Sequence, residues 1–172
     1  MQIQVDTREH AKEWERIRKQ FDRLNVQYFR SKLYVGDYMD LDNPRLVIDR
    51  KKNLQELCGN VTQQHDRFIA ELSRARDAGI KLIVLCEHGG GITCTEDIYF
   101  WSNPRLKMNP NAMKGQTLCR VLLTISKKYD VTFEYCYPTQ TGRRIIELLG
   151  GGDGSTGVHQ SGRAAESSQG NR

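Results

Sequence analysis

The sequence predicts an α/β protein, a mixed central sheet flanked by helices, and three observations carry that prediction. Segments with apolar residues at helical spacing alternate with short strand-like runs. One of those runs, Ile80–Glu87 (IKLIVLCE), is almost wholly apolar, as expected of a strand covered on both faces. A third segment, 35–52 (VGDYMDLDNPRLVIDRKK), reads as a hairpin and so adds an antiparallel pair to the parallel succession.

The elements follow in order. Ile3–Asp6 alternates as a short strand. From His10 to Leu24 the residues Trp14, Ile17, Phe21 and Leu24 form one apolar stripe on a charged helix. Val26–Leu33 is strand-like. Val35–Leu41 and Leu46–Lys51 are two arms around Asp42-Asn43-Pro44-Arg45, a strong turn signal. Pro44 suits the primed two-residue turns poorly, because its φ is fixed and it lacks an N–H. The expected turn is therefore a three-residue loop over Asn43–Arg45, or a bulge, which sets Asp42 opposite Leu46 and Asp37 opposite Lys51. A short helix covers Leu54–Asn60. His65–Ala78 is a longer one, with Phe68, Ile69, Leu72 and Ala75 on one side and Gly79 as its C-terminal cap. After the buried strand come a helix over Gly115–Tyr129, a strand over Val131–Tyr135 and a closing helix over Gly142–Leu149.

From Gly150 onward the chain holds seven of the fifteen glycines, four serines and no aromatic residue. Such a segment cannot bury enough apolar surface to offset its ordering entropy, so 150–172 is expected to be a flexible tail and 1–149 the one folded domain. Asp153 and Glu166 cancel Arg163 and Arg172 within the tail, so the whole net charge of +5 belongs to the folded part. That balance favours a polyanionic partner. The five cysteines are odd in number and lack any CxxC spacing, which fits reduced thiols rather than a disulfide framework. With no signal-like start and no membrane-length apolar run, the expected location is intracellular, cytoplasmic or nucleoid-associated in a bacterial or phage-like source, with no membrane association.

Several apparent motifs lack the context that would give them chemistry. Gly152-Asp-Gly154-Ser-Thr-Gly157 matches GxGxxG, but it has no strand before it and no helix after it. His88-Gly-Gly-Gly91 looks like an oxyanion-hole loop, yet the chain has no GxSxG nucleophile elbow. Cys86, His88 and Cys94 fit no zinc spacing and lack a fourth ligand.

The hairpin keeps its interest. Strands avoid Asp and Lys, yet this one carries Asp37, Asp49, Arg50, Lys51 and Lys52 in or beside strand positions. Residues i and i+2 share a face, so Asp49 and Lys51 project together while Arg50 points away. Two carboxylates beside an ammonium suit a hydrolytic site: the acids hold a hard divalent cation, and the Lys neutralises developing charge. Taken alone, a D-x-K is read more readily as surface charge in ordinary ion pairs. Its company shifts the balance: VDTRE on the first strand, VGDY on one arm and VIDRKK on the next.

In order and spacing, Val5–Glu9 (VDTRE), Val35–Tyr38 (VGDY) and Ile48–Lys51 (IDRK) resemble the motifs of the XPF-type nuclease domain, a family of the PD-(D/E)XK group with a restriction-endonuclease-like core. The likeness continues through Arg67-Phe68, the strand ending at Glu87 and the final helix–strand–helix. It spans roughly Ile3 to Leu149. The resemblance implies a divalent-metal-dependent DNA endonuclease, acting on branched or flap DNA in repair, recombination or replication. It implies Asp37 and Asp49 as ligands of Mg²⁺ or Mn²⁺, Lys51 as the catalytic lysine, and Asp6, Arg8 and Glu9 lining the same site. Arg50 matches the family's motif arginine, for which the resemblance implies a structural or supporting role. Arg8, Arg50, Lys52 and Arg67 are the candidate nucleic-acid contacts, with Lys107 and Lys114 as further bases.

Two departures from the family pattern stand out. Asp49 replaces the motif Glu, and the closing Asp position holds Gln55, with Glu56 one residue later. The sequence carries a Gly/Ser segment where the family often has paired helix-hairpin-helix modules. DNA is then expected to be held by the domain itself, by a homodimer, or through a separate DNA-binding partner. The rival expectation is a catalytically inactive nuclease-fold module that binds DNA or a partner protein.

Overall fold

The computed structural model describes residues 1–150, so all of the expected tail except Gly150 lies outside the described residues. Six strands form one mixed sheet in the order β2-β1-β3-β4-β5-β6: β1 (Gln2–Val5), β2 (Gln27–Arg30), β3 (Tyr38–Asp40), β4 (Asn43–Lys51), β5 (Lys81–Glu87) and β6 (Thr132–Cys136). β1 pairs with β2 in parallel and with β3 antiparallel, β3 and β4 are antiparallel, and β4, β5 and β6 run parallel. The helices are α1 (Ala11–Arg23), α2 (Leu54–Asn60), α3 (His65–Asp77), α4 (Gly115–Tyr129) and α5 (Thr141–Leu149). The α/β fold with a mixed central sheet is thus as expected.

The sheet separates two cores. On one face α1 and α5 bring Trp14, Ile17, Phe21, Ile145 and Leu149 onto Ile3, Val5, Tyr38, Ile48 and Leu85. On the other, α2, α3 and α4 bring Leu54, Leu57, Phe68, Leu72, Leu118 and Leu122 onto Val47, Val84, Cys86 and Phe133. This two-sided burial explains why six of the seven β5 residues are buried. Each side chain buried in this way contributes about 1.5–3 kcal/mol. Gly79 adopts φ +66° just beyond α3, as a C-terminal cap requires. Among the described residues no helix is long and apolar enough to cross a membrane.

The hairpin has the expected bulge, but its turn lies elsewhere. The turn is Leu41-Asp42, not Asn43–Arg45, and Asp40 pairs with Asn43. The ladder then shifts, and Met39 pairs with Val47 and Tyr38 with Ile48. The bulge takes up Pro44, Arg45 and Leu46, where the missing N–H of Pro44 breaks no ladder bond. The Asp40 carboxylate holds the corner, accepting from the N–H of Gln2 at 3.1 Å and of Asp42 at 3.4 Å. Strand pairing ends at Tyr38, shorter than the expected arm. Just before it stands Gly36 at φ +68°, a conformation that glycine adopts without strain.

Three short 3₁₀ turns, at Glu96–Phe100, Pro104–Lys107 and Pro138–Gln140, were not anticipated. Each is too short to carry a periodic apolar signal.

Candidate active site

Asp37 leads into β3, and Asp49 and Lys51 lie near the end of β4. All three line one cleft of about 400 Å³, walled on the far side by α3. Asp37 does not face Lys51 across a ladder, as the three-residue turn required. It lies one residue beyond the last pair, where its N–H donates to the Ile48 carbonyl at 2.8 Å. Its Oδ2 accepts from the Arg50 N–H at 2.8 Å. The shared face was expected; the route to it was not.

Lys51 and Asp49 are only 8% and 4% exposed. The Lys51 ammonium donates to Asp49 Oδ1 at 2.9 Å and approaches Oδ2 at 2.8 Å, without hydrogen-bond geometry to the latter. Phe68 of α3 supports the ammonium, with Nζ 5.7 Å from the ring centroid. Burial works against the charged lysine, but Asp49, and then Asp37 and Glu71, hold its pKa above the ordinary lysine value. Burial, and then the negative charges of Asp49 and Glu9, push the Asp37 carboxyl well above the usual carboxylate range.

This electrostatic state bears on whether the site suits a cation. Asp49 Oδ2 has the Lys51 ammonium beside it but no well-aligned hydrogen bond, and burial together with the Asp49 charge disfavours the ionised form of Asp37. Both are what two carboxylates show when one hard cation would satisfy them together. Among the described residues no group of three or more His, Cys, Asp or Glu side chains is arranged to hold a metal. Mg²⁺ does not need one, since it commonly takes one or two carboxylates and keeps its remaining waters. The residues present therefore fit Mg²⁺ or Mn²⁺.

The first strand contributes less directly than expected. Asp6 is fully buried and does not line the cleft. Its oxygens accept from the Leu33 N–H at 2.7 Å, the Arg8 N–H at 2.7 Å and the Arg8 guanidinium at 2.8 and 2.9 Å. Burial opposes ionisation, yet these bonds win and hold its pKa below the ordinary value. Asp6 therefore clamps the 31–35 loop to β1. Arg8 and Glu9 do line the cleft. The Glu9 carboxylate is nonetheless occupied, accepting from the Tyr38 hydroxyl at 2.9 Å and from the Arg50 guanidinium.

Arg50 is the clearest departure from its expected role as a DNA contact. Its side chain is 7% exposed and lies between Glu9 and Glu87, the latter 3.5 Å away. Glu87 also accepts from Arg16 and from the Thr141 hydroxyl, so the network ties β4 to α1, β5 and α5. The guanidinium is largely engaged by Glu9 and Glu87 inside the protein, with Nη1 lacking a hydrogen-bond partner. Lys52 and Arg67 remain exposed beside the site, as expected of phosphate contacts.

Around α2 the acid that reaches the cleft is Glu56, while Gln55 faces a neighbouring groove. Asn53 caps the helix by accepting from the Glu56 N–H at 2.9 Å, and Glu56 Oε2 accepts from the Lys52 N–H at 2.8 Å. Two wall residues escaped the sequence reading. Glu71 and Arg74 of α3 line the cleft, and Glu71 accepts from the Gly36 N–H at 3.2 Å, bracing the residue before Asp37. Their signal was present: Arg67, Glu71 and Arg74 follow i, i+4, i+7 spacing, opposite the apolar stripe of α3.

The comparisons agree with this fold. The chain is similar in structure to XPF from Aeropyrum pernix, with a TM-score of 0.61 and 17% identity over 87% of this chain and 63% of that one. It is also similar to XPF from Aeropyrum pernix in complex with DNA, with a TM-score of 0.58 and 17% identity over 86% of this chain and 62% of that one. The chain thus spans less than two thirds of those XPF chains, and at this identity the likeness concerns the fold. No match was found among curated protein sequences. The family model of the ERCC4 domain matches residues 5–140, most of the folded region, and the chain belongs to the ERCC4 domain family.

Proposed function

We propose that the protein is a divalent-metal-dependent DNA endonuclease that hydrolyses phosphodiester bonds, with branched or flap DNA as substrate. One observation carries the reading: Asp37, Asp49 and Lys51 line a single cleft, where burial and the Asp49 and Glu9 charges push the Asp37 carboxyl well above the usual carboxylate range. Buried carboxylates close together repel each other, and a hard cation held between them removes that cost.

In this reading Asp37 and Asp49 hold Mg²⁺ or Mn²⁺. Such an ion, when bound, polarises the scissile phosphate and lowers the pKa of an attacking water. Burial opposes the charged form of Lys51, but without a metal ion Asp49 and then Asp37 hold its pKa above the ordinary lysine value. Its role is electrostatic: it holds positive charge, fixed by Asp49 and Phe68, where negative charge grows on the phosphate oxygens. Arg50 acts as a positioning residue through its backbone N–H on Asp37. Gln55, the residue that favoured an inactive module, matters less once Glu56 is seen to supply a carboxylate at the same cleft.

The test is cleavage of linear, flap and four-way DNA by the wild type and by Asp49→Asn, with and without Mg²⁺ or Mn²⁺. The reading predicts metal-dependent cleavage that falls roughly a hundredfold or more in the variant. Equal cleavage by both proteins would remove the ligand assignment.

A further inference from the structure

On its α2 side the cleft adjoins a second depression of about 500 Å³, with which it shares His10, Arg50 and Glu56. Beyond the shared residues this extension is polar: Lys52, Gln55, Gln63, Gln64 and Arg105 line it. Lys52 and Arg105 are exposed, and neither forms an ion pair among the described residues. Glu13 also lines the groove, and the Glu56 carboxylate accepts from the Lys52 N–H.

Arg105 reaches the groove from far along the chain. It sits in the excursion between β5 and α4, on the 3₁₀ turn Pro104–Lys107. Buried Asn103 fixes that turn, accepting from the Arg105 N–H at 3.0 Å and donating to the Met113 carbonyl at 2.8 Å. The Arg105 charge is near enough to α2 to oppose, in part, the burial that raises the Cys58 thiol to about 11. A cation is therefore held by an ordered turn beside a groove that adjoins the proposed active site.

We propose that this groove is the binding track for the DNA strand on one side of the scissile phosphate. Lys52 and Arg105 contact successive backbone phosphates, and Gln55, Gln63 and Gln64 offer donors and acceptors to sugars and base edges. The inference rests on the nuclease reading for its substrate class, but its test requires no cleavage. Unpaired cations that contact phosphates release counterions, which gives each contact a fixed signature in the salt dependence of binding.

The experiment is fluorescence anisotropy with a labelled single-stranded oligodeoxynucleotide, in chelator, over a series of salt concentrations. The variants are Lys52→Ala/Arg105→Ala and, as a charge-matched control, Lys127→Ala/Lys128→Ala. The control pair lies at the C-terminal end of α4, which leads into the start of β6. It is thus at the opposite end of the parallel strands from Lys51. The first pair should weaken binding roughly tenfold near physiological salt and reduce the slope of log K against log salt by about 1.4. The control pair should leave both nearly unchanged. Equal losses from the two pairs would show a diffuse charge effect and overturn the track, as would a wild type that does not bind the strand. Loss of cleavage in Asp49→Asn, or its persistence, bears on the catalytic reading and leaves this outcome untouched.

Discussion

Arg50 donates its backbone N–H to Asp37 Oδ2 at 2.8 Å, while its guanidinium on the opposite face of β4 pairs with Glu9. One residue thus joins the proposed metal site to the ion network that anchors β4 against α1 and α5. Arg50→Ala leaves Glu9 buried with only the Tyr38 hydroxyl, while Glu87 keeps Arg16 and Thr141. Truncating one member of such a buried pair costs about 3–5 kcal/mol. Urea denaturation should show a loss of that size, and a loss below about 1 kcal/mol would mean that the network is not structural.

Asp37 sets a pH dependence that is visible without metal. Its folded pKa lies above the ordinary value of 3.8, raised by burial and by the charges of Asp49 and Glu9. The stability that Asp37 contributes is therefore fully present below the unfolded pKa and is lost as pH rises through the folded one. Asp37→Asn should raise the metal-free melting temperature at neutral pH, and the gap should close as pH falls towards the ordinary carboxylate range. A variant less stable than the wild type at neutral pH in chelator would contradict this.

Gly36 places Asp37. A Cβ there would lie 2.6 Å from Val47 Cγ1 and 2.9 Å from the Ile48 carbonyl oxygen, at φ +68°. Gly36→Ala should cost roughly 2–4 kcal/mol from the left-handed backbone and the overpacking together. The shift should also carry Asp37 away from Asp49 and so weaken divalent-ion binding. Unchanged stability would show that the loop can move at no cost.

The sequence made long periodic elements and the ordered motifs legible, and it failed where one side chain decides the geometry. The α4 helix runs over Gly115–Tyr129 as its apolar spacing indicated, because three buried leucine and isoleucine turns leave one register. The hairpin turn was misplaced because Pro44 was read as a turn residue, whereas a bulge uses the same missing N–H. Asp37, Asp49 and Lys51 were found by face parity, which survives an even shift of register. A supporting role for Arg50 was legible, but nothing local shows that Glu9 and Glu87 come from distant parts of the chain to bind it, or that Leu33 does so for Asp6. Arg105 lay beyond reach for the same reason: only the tertiary fold brings the β5–α4 excursion over α2.

The central claim is that Asp37 and Asp49 together hold one divalent cation. Electron paramagnetic resonance of Mn²⁺ titrated into the wild type, Asp37→Asn and Asp49→Asn measures this directly, since bound and free Mn²⁺ give separable signals. The account predicts a bound ion in the wild type whose affinity collapses in each single variant, with the variants still folded. Mn²⁺ binding that is equal in all three proteins would contradict it.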